Sequence, residues 1–216
     1  MKKLNQQGLF CSIEGTDGAG KSTQISLMYD YLTELGYPVV KFREPGGTSV
    51  GELVRGILLN EQMDPLTELL LFTASRIELI KTKIVPALEE NKIVLCDRFV
   101  DSTYAYQGCG RGLKQDVLQL ESLINQYVHV DHTLYLDVGV DKGNERLRQT
   151  GKAADRFESE GSTFFEDIRV GFQERLKSYP ERITYINAEE DLDTVSKRVK
   201  TWIDEVLIPR YLAKSS

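Results

Sequence analysis

The stretch Leu9-Phe10-Cys11-Ser12-Ile13-Glu14-Gly15-Thr16-Asp17-Gly18-Ala19-Gly20-Lys21-Ser22-Thr23 decides the fold. Its apolar run, Leu9–Ile13, has the length of a buried strand, and residues 15–22 match GxxxxGK[ST] in full. In that pattern the glycines let backbone N–H groups wrap a polyphosphate, the lysine reaches the terminal phosphates and the following hydroxyl coordinates Mg²⁺. Ile25, Met28, Leu32 and Leu35 then recur at helical spacing until Gly36 stops the stripe. An ordinary glycine turn would lack both the strand before it and the amphipathic helix behind it. Gly15, Thr16, Asp17, Gly18, Ala19, Gly20, Lys21, Ser22 and Thr23 are therefore read as a nucleoside-triphosphate-binding loop.

Outward from this loop, short apolar runs alternate with longer helical patterns. Val39–Phe42, Ile93–Cys96, Thr133–Val138 and Ile183–Ile186 are further strand candidates. Pro65 opens a long helix with a stripe at Leu70, Thr73, Ile77, Ile80, Ile84 and Ala87, and Pro86 should kink or end it. A closing helix carries Leu192, Val195, Val199, Trp202 and Val206, so Trp202 is read as core. Strand–helix alternation predicts right-handed crossovers and a mostly parallel sheet covered on both faces. Ligands of such sheets bind beyond the carboxyl ends of the strands. The polar clusters follow strands, so one cleft is expected.

With 216 residues and no Pro/Gly/Ser linker or repeat, the chain is read as one domain, 1–216. Hydrophobic residues at 41% and charged residues at 28% exclude disorder, collagen and coiled coil. Lys and Arg total 27 against 33 Asp and Glu, a formal charge of −6, which argues against nucleic acid and anionic membranes as partners. Cys11, Cys96 and Cys109 form no CxxC or Cys/His cluster with His129 or His132, which reads as reduced thiols in the cytoplasm. The apolar run behind Met1-Lys2-Lys3 stops at Glu14, too early for a signal segment, and no run is long enough to span a membrane.

A GTPase would carry Asn-Lys-x-Asp, but Asn91-Lys92 is followed by Ile93 and Val94. Elements that couple an ATPase motor are absent from the pattern. A small kinase remains. A phosphate acceptor is already ionised and needs cations rather than a base, because two anions must meet. Arg43 ends the second strand, Arg55 lies on the next helix and Arg98 follows the third strand, each offering a planar fork for phosphate. Asp97 ends that strand where a carboxylate would sit on Mg²⁺ or one of its waters, beside Ser22. Phe72 and Arg76 share one side of their helix, about 100° from its core stripe, where they can stack on and hydrogen-bond a base. Thr103, Tyr106 and Gln107 share another face. The Gln107 amide complements the N3–H and O4 edge of a pyrimidine, and Tyr106 is placed to press on the sugar. Glu68, Glu89, Glu90, Lys81 and Lys83 read as solvated helix charges.

Asp97-Arg98-Phe99, Tyr106-Gln107-Gly108, Arg43-Glu44-Pro45-Gly46-Gly47 and Phe72-Thr73-Ala74-Ser75-Arg76 together resemble bacterial thymidylate kinases over essentially the whole chain. The resemblance implies a three-layer α/β P-loop nucleoside monophosphate kinase fold, with a five-stranded parallel sheet flanked by helices, and a short lid. It also implies ATP-dependent phosphorylation of dTMP to dTDP in dTTP synthesis, with Mg²⁺, usually by a homodimer. Carried over, Asp17 meets the 3′-hydroxyl, Glu44 assists near sugar and metal, and Arg55 and Arg98 hold the dTMP phosphate. Phe72 stacks on thymine, Arg76, Thr103 and Gln107 read its edge, and Tyr106 favours deoxyribose. Preference for thymine over uracil rests on the resemblance alone.

Some family members carry an arginine at the position of Gly18, so here the cation for the transferring phosphoryl group is expected from a lid at about residues 146–162. Arg148, Lys152 and Arg156 are its candidates, with Arg148 and Arg156 favoured as catalytic beside Lys21, Arg98, Asp97 and Glu44. The competing readings are a kinase for another pyrimidine monophosphate or a deoxynucleoside, and a nucleotide-binding switch with no second substrate.

Overall fold

The computed structural model describes residues 7–149, 156–157 and 159–215. Five strands, β1 (Leu9–Glu14), β2 (Val39–Arg43), β3 (Ile93–Asp97), β4 (His132–Asp137) and β5 (Ile183–Asn187), form a sheet in the order β2-β3-β1-β4-β5. Every neighbouring pair is parallel. The helices are α1 (Lys21–Glu34), α2 (Ser49–Asn60), α3 (Pro65–Leu79), α4 (Val85–Glu89), α5 (Val100–Thr103), α6 (Lys114–Ile124), α7 (Val140–Gln149), α8 (Ser162–Ser178), α9 (Leu192–Trp202) and α10 (Ile208–Ser215).

Both faces of β1 are buried, which is why it reads as an unbroken apolar run. Leu9, Cys11 and Ile13 pack with Ile25, Met28 and Leu32 of α1 and Val195, Val199 and Trp202 of α9. Phe10 points the other way and joins Val94 and Cys96 of β3 to Leu79, Ile84, Leu88 and Phe99. A third cluster sets Tyr135 of β4 against Phe165, Ile168 and Phe172 of α8. These clusters are the two interfaces of a three-layer α/β fold.

The helical stripes were placed correctly in the middle and less well at their ends. Leu35, Leu70 and Leu192 are exposed, while Leu69 and Leu79 take the core positions on α3. Glu68, expected in solvent, is buried at 1% exposure; Glu89 and Glu90 are exposed as expected. The helix runs only three residues past Pro86, to Glu89. A π-helical turn, Ile80–Ile84, precedes the proline. That wider turn relieves the ring from the carbonyl four residues back, where proline has no N–H to offer.

Parallel pairing brings the functional loops together at one edge. Ile13 is in register with Asp97, and Asp97 with Arg43. Two backbone bonds continue the alignment, Arg98 N–H to Ile13 O at 3.0 Å and Glu44 N–H to Asp97 O at 2.9 Å. The phosphate loop after β1 lies between the ends of β3 and β4.

Candidate active site

Gly15, Gly18 and Gly20 all have positive φ, 145°, 78° and 89°, as a loop that turns its N–H groups inward demands. Lys21 is buried, and its Nζ donates to Thr16 O at 2.7 Å, folding the side chain back over the loop. Burial and Arg98 pull its ammonium down to about 8, against the support of Asp17, Asp97 and Glu14. Ser22 Oγ donates to Asp97 Oδ2 at 2.9 Å, and Asp97 Oδ1 is buried with no hydrogen-bond partner. A hydroxyl, a carboxylate and an unsatisfied oxygen at the loop suit a hard cation such as Mg²⁺. Among the described residues no group of three or more His, Cys, Asp or Glu side chains could hold a metal. The remaining ligands of such an ion would come from the nucleotide and water.

Arg98 adopts φ 69°, a conformation that non-glycine residues seldom take. Its guanidinium turns back under the phosphate loop. Nη2 donates to Asp17 Oδ1 at 2.6 Å and to Tyr106 Oη at 3.1 Å, and Nη1 donates to Gly15 O at 3.0 Å and to Ser102 Oγ at 3.2 Å. Tyr106 Oη in turn donates to Asp17 Oδ2 at 2.9 Å. Burial pushes the Asp17 carboxyl up, but Arg98, Lys21 and the Tyr106 hydroxyl outweigh it and hold the group at about 2. Burial, with Asp17 and against Arg98, pushes the Tyr106 phenol well above its ordinary range, so it stays a donor.

Beyond Arg98 opens a pocket lined by Asp17, Glu44, Arg55, Phe72, Arg76, Arg98, Thr103, Tyr106 and Gln107 with Pro45, Leu59, Ser102 and Phe157. Arg76 Nε donates to Glu44 Oε2 and its Nη1 to Thr103 Oγ1 at 2.8 Å, with its face on Phe99. Phe72 is half-buried and meets Phe157 edge-on at 5.9 Å. A second cavity adjoins, lined by Gly18, Gly20, Lys21, Ser22, Thr23, Arg43, Asp97, Arg146 and Leu147. Asp17, Glu44, Arg55 and Arg98 line both. The arrangement places the glycine loop's cavity and a second pocket on either side of two arginines.

A family model described as Thymidylate kinase matches residues 13–199. The chain belongs to the thymidylate kinase family. It is 43% identical over 197 residues to a thymidylate kinase of Thermoanaerobacter sp. (strain X514), covering 89% of this chain and 96% of that one. It is 44% identical over 199 residues to a thymidylate kinase of Ruthia magnifica subsp. Calyptogena magnifica, covering 90% and 97%. The crystal structure of thymidylate kinase from Ehrlichia chaffeensis at 2.15 Å resolution superposes with a TM-score of 0.73 at 36% identity, over 91% of this chain and 98% of that one.

Within this thymidylate kinase scaffold the sequence reading is uneven. Every residue expected at the acceptor lines the pocket except Arg43, whose Nη2 makes an exposed pair with Glu52 at 2.9 Å and faces the phosphate cavity only. The structure does not bring the favoured lid cations to the phosphate loop. Arg148 is exposed at the end of α7 and lines neither cavity. Arg156 is 6% exposed, with Nη1 2.7 Å from Glu68 Oε2 and Nε donating to Leu58 O at 3.0 Å. Its charge is committed to α3 instead. Lys152 lies outside the described residues. The cation that α7 does carry to the loop is Arg146, which donates to Gly18 O at 3.4 Å and Glu190 O at 3.0 Å.

The sequence reading also missed Glu14 and Ser102. Ser102 Oγ donates to Glu14 Oε2, and Arg98 donates to Ser102. Burial and Asp101 push Glu14 up to about 7, against Ser102, Arg98 and Arg76. Nothing in the local pattern marks Glu14, since it ends an apolar strand as many glutamates do.

Proposed function

We propose that this chain transfers the γ-phosphoryl group of ATP in line to a phosphate oxygen of dTMP, giving ADP and dTDP. Family membership over residues 13–199 supports the reaction, and the relatives' names supply the nucleotide. The observation that carries the mechanism is that Arg55 and Arg98 stand where the phosphate and acceptor cavities meet. An acceptor oxygen forms the new bond to γ-phosphorus while the bond to the β–γ bridging oxygen breaks. The acceptor phosphate is ionised near neutral pH, so no general base is required. Catalysis then rests on positioning and on offsetting charge.

In this reading Lys21 and the loop N–H groups hold the polyphosphate. Ser22 and Asp97 would hold Mg²⁺, which supplies positive charge to the β- and γ-phosphates when bound. Arg98 gives up part of its contact with Asp17 to engage the acceptor phosphate, and Arg55, now donating to Pro45 O at 3.0 Å, joins it. Phe72 stacks on the base, Arg76, Thr103 and Gln107 read its edge, and Asp17, Glu44 and Tyr106 face the sugar. Arg146 takes the cationic position first assigned to Arg148 and Arg156, with the segment at about 146–162 as the lid of a single domain.

The proposal extends to a cytoplasmic setting, supported by three unbridged cysteines, and to a homodimer. Val50, Leu53 and Ile57 of α2 with Leu66 and Leu70 of α3 are exposed, Leu53 at 73%, and offer an apolar face for a second copy. Sedimentation should give twice the chain mass, and Leu53→Glu should halve it; a monomeric wild type contradicts this. No described helix is long and apolar enough to cross a membrane.

A coupled assay of ADP release across dTMP, dUMP, UMP, CMP, GMP, AMP and thymidine tests the activity. Selective turnover with dTMP supports it. Equal turnover of thymidine would indicate a nucleoside kinase, and ADP release indifferent to any acceptor would indicate a switch.

A further inference from the structure

Glu68 lies in the first turn of α3, away from the phosphate loop, and does not line the acceptor pocket. It is nevertheless among the most buried carboxylates, at 1% exposure, and three side chains from distant elements converge on it. Gln107 Nε2 donates to Oε1 at 2.9 Å, Arg111 Nε approaches the same oxygen at 3.5 Å, and Arg156 Nη1 sits 2.7 Å from Oε2. Arg111 is itself braced by Glu160 at 2.6 Å. Cations therefore hold both carboxylate oxygens.

A carboxylate in that setting is an acceptor only. Gln107 must face it with the NH₂ end of its amide, which turns Oε1 to the other side. Gln107 also lines the acceptor pocket, with its amide oxygen turned away from Glu68. We propose that Glu68 is a specificity-determining positioning residue, which locks the Gln107 amide so that it presents an acceptor to the base. A base with N–H at position 3, as in thymine, then finds a partner. Cytosine, whose N3 is an acceptor, meets oxygen against nitrogen lone pair and is rejected. Without Glu68 the amide could turn over and offer N–H instead. This inference rests on the proposed reading of Gln107 as a base contact.

The test compares kcat/KM for dTMP and dCMP in wild type, Glu68→Gln and Gln107→Leu. An amide at position 68 can donate to Gln107 Oε1 and so permits the inverted orientation. In Glu68→Gln the dCMP:dTMP ratio should rise about tenfold or more, chiefly through KM for the acceptors, with KM for ATP unchanged. A merely structural role would lower both substrates together and leave the ratio in place, which overturns the proposal. If Gln107→Leu shifts the ratio and Glu68→Gln does not, the base reading stands and the role of Glu68 fails. If Gln107→Leu also leaves the ratio unmoved, the base reading itself fails, and this inference with it. A measurement on wild type covers a variant that does not fold. With ¹³C,¹⁵N-labelled enzyme, adding dTMP should move the Gln107 side-chain carbonyl carbon while its Nε2 protons keep their shifts. The reverse pattern, with the Nε2 protons moving and the carbonyl unchanged, contradicts the proposal.

Discussion

Arg98 Nη2 lies 2.6 Å from Asp17 Oδ1, joining the end of β3 to the phosphate loop across the mouth of the acceptor pocket. The same guanidinium reaches Gly15 O, Ser102 and Tyr106, so it arrives at the substrate already oriented. In the proposed mechanism, removing it takes from the acceptor phosphate one of its two cations. Arg98→Ala should lower kcat/KM for dTMP by about 10²-fold or more, with ATP binding retained. Arg98→Lys should recover little, because an ammonium cannot replace a fork engaged on several sides. A loss below tenfold in the alanine variant would favour an acceptor without a phosphate, namely a nucleoside.

Gly18 admits no side chain. A Cβ there would lie 2.3 Å from Gly143 O and 2.7 Å from Gly143 Cα, and φ is 78°. The obstructing atoms are backbone of α7, which cannot swing aside. This contact leaves no room for an arginine, or any other side chain, at position 18. Gly18→Ala should destabilise the protein by about 1–3 kcal/mol and depress ATP turnover further by displacing the loop. Thermal unfolding and steady-state kinetics measure both. An unchanged melting temperature with full activity would mean that α7 does not pack on the loop.

The alkaline limb of the pH profile should belong to Lys21. Burial and Arg98 lower its ammonium to about 8, so the unliganded enzyme loses that charge as pH rises through 8. Nucleotide phosphates finish ionising near pH 6 and do not change there. The expected result is a one-proton fall in kcat/KM for ATP above pH about 8, with the fall in kcat displaced to higher pH because bound polyphosphate favours the charged form. A kcat/KM profile flat to pH 10 would remove Lys21 from this role.

Behind the site, Asp101 accepts from Arg175 Nε at 2.6 Å and from both Arg182 nitrogens at 2.7 Å, and Arg182 Nη1 also reaches Thr133 at 2.6 Å. Asp101 is 1% exposed, and the cluster ties α5 to α8 and β4 directly beneath Ser102. Asp101→Asn takes the carboxylate from Arg182 and leaves Arg175 with Glu121 alone, 2.6 Å from its Nη2, and should cost about 2–3 kcal/mol in denaturant unfolding. Burial raises the Asp101 carboxyl, but Arg182 and Arg175 outweigh it and hold it at about 2. A folded value below the unfolded one, about 3.9, means the stabilisation is complete above pH about 4 and disappears as pH falls towards 2. Wild type should lose stability across that window more steeply than the variant.

The sheet and the phosphate loop were legible because they are local: a five-residue apolar run, spaced glycines and a helical stripe each declare themselves within one window. The pocket-lining residues were legible for a related reason, since Arg98 directly follows a strand while Phe72 with Arg76, and Thr103 with Gln107, share helix faces. Glu68 was misread as solvated because its meaning lies in a partner far along the chain, Arg156. A glutamate in a helix's first turn looks solvated, and an arginine beyond α7 looks free to meet phosphate, until the chain brings them within 2.7 Å. Arg146 was passed over for the same reason, its contact with Gly18 O depending on how closely α7 approaches the loop.

The most direct measurement is a crystal structure with dTMP bound. The account predicts its phosphate within hydrogen-bonding distance of both Arg98 and Arg55, its sugar beside Asp17 and Tyr106, and its ring on Phe72 with the N3 edge towards Gln107. A nucleotide found elsewhere, or seated with its phosphate away from the two arginines, would contradict the account.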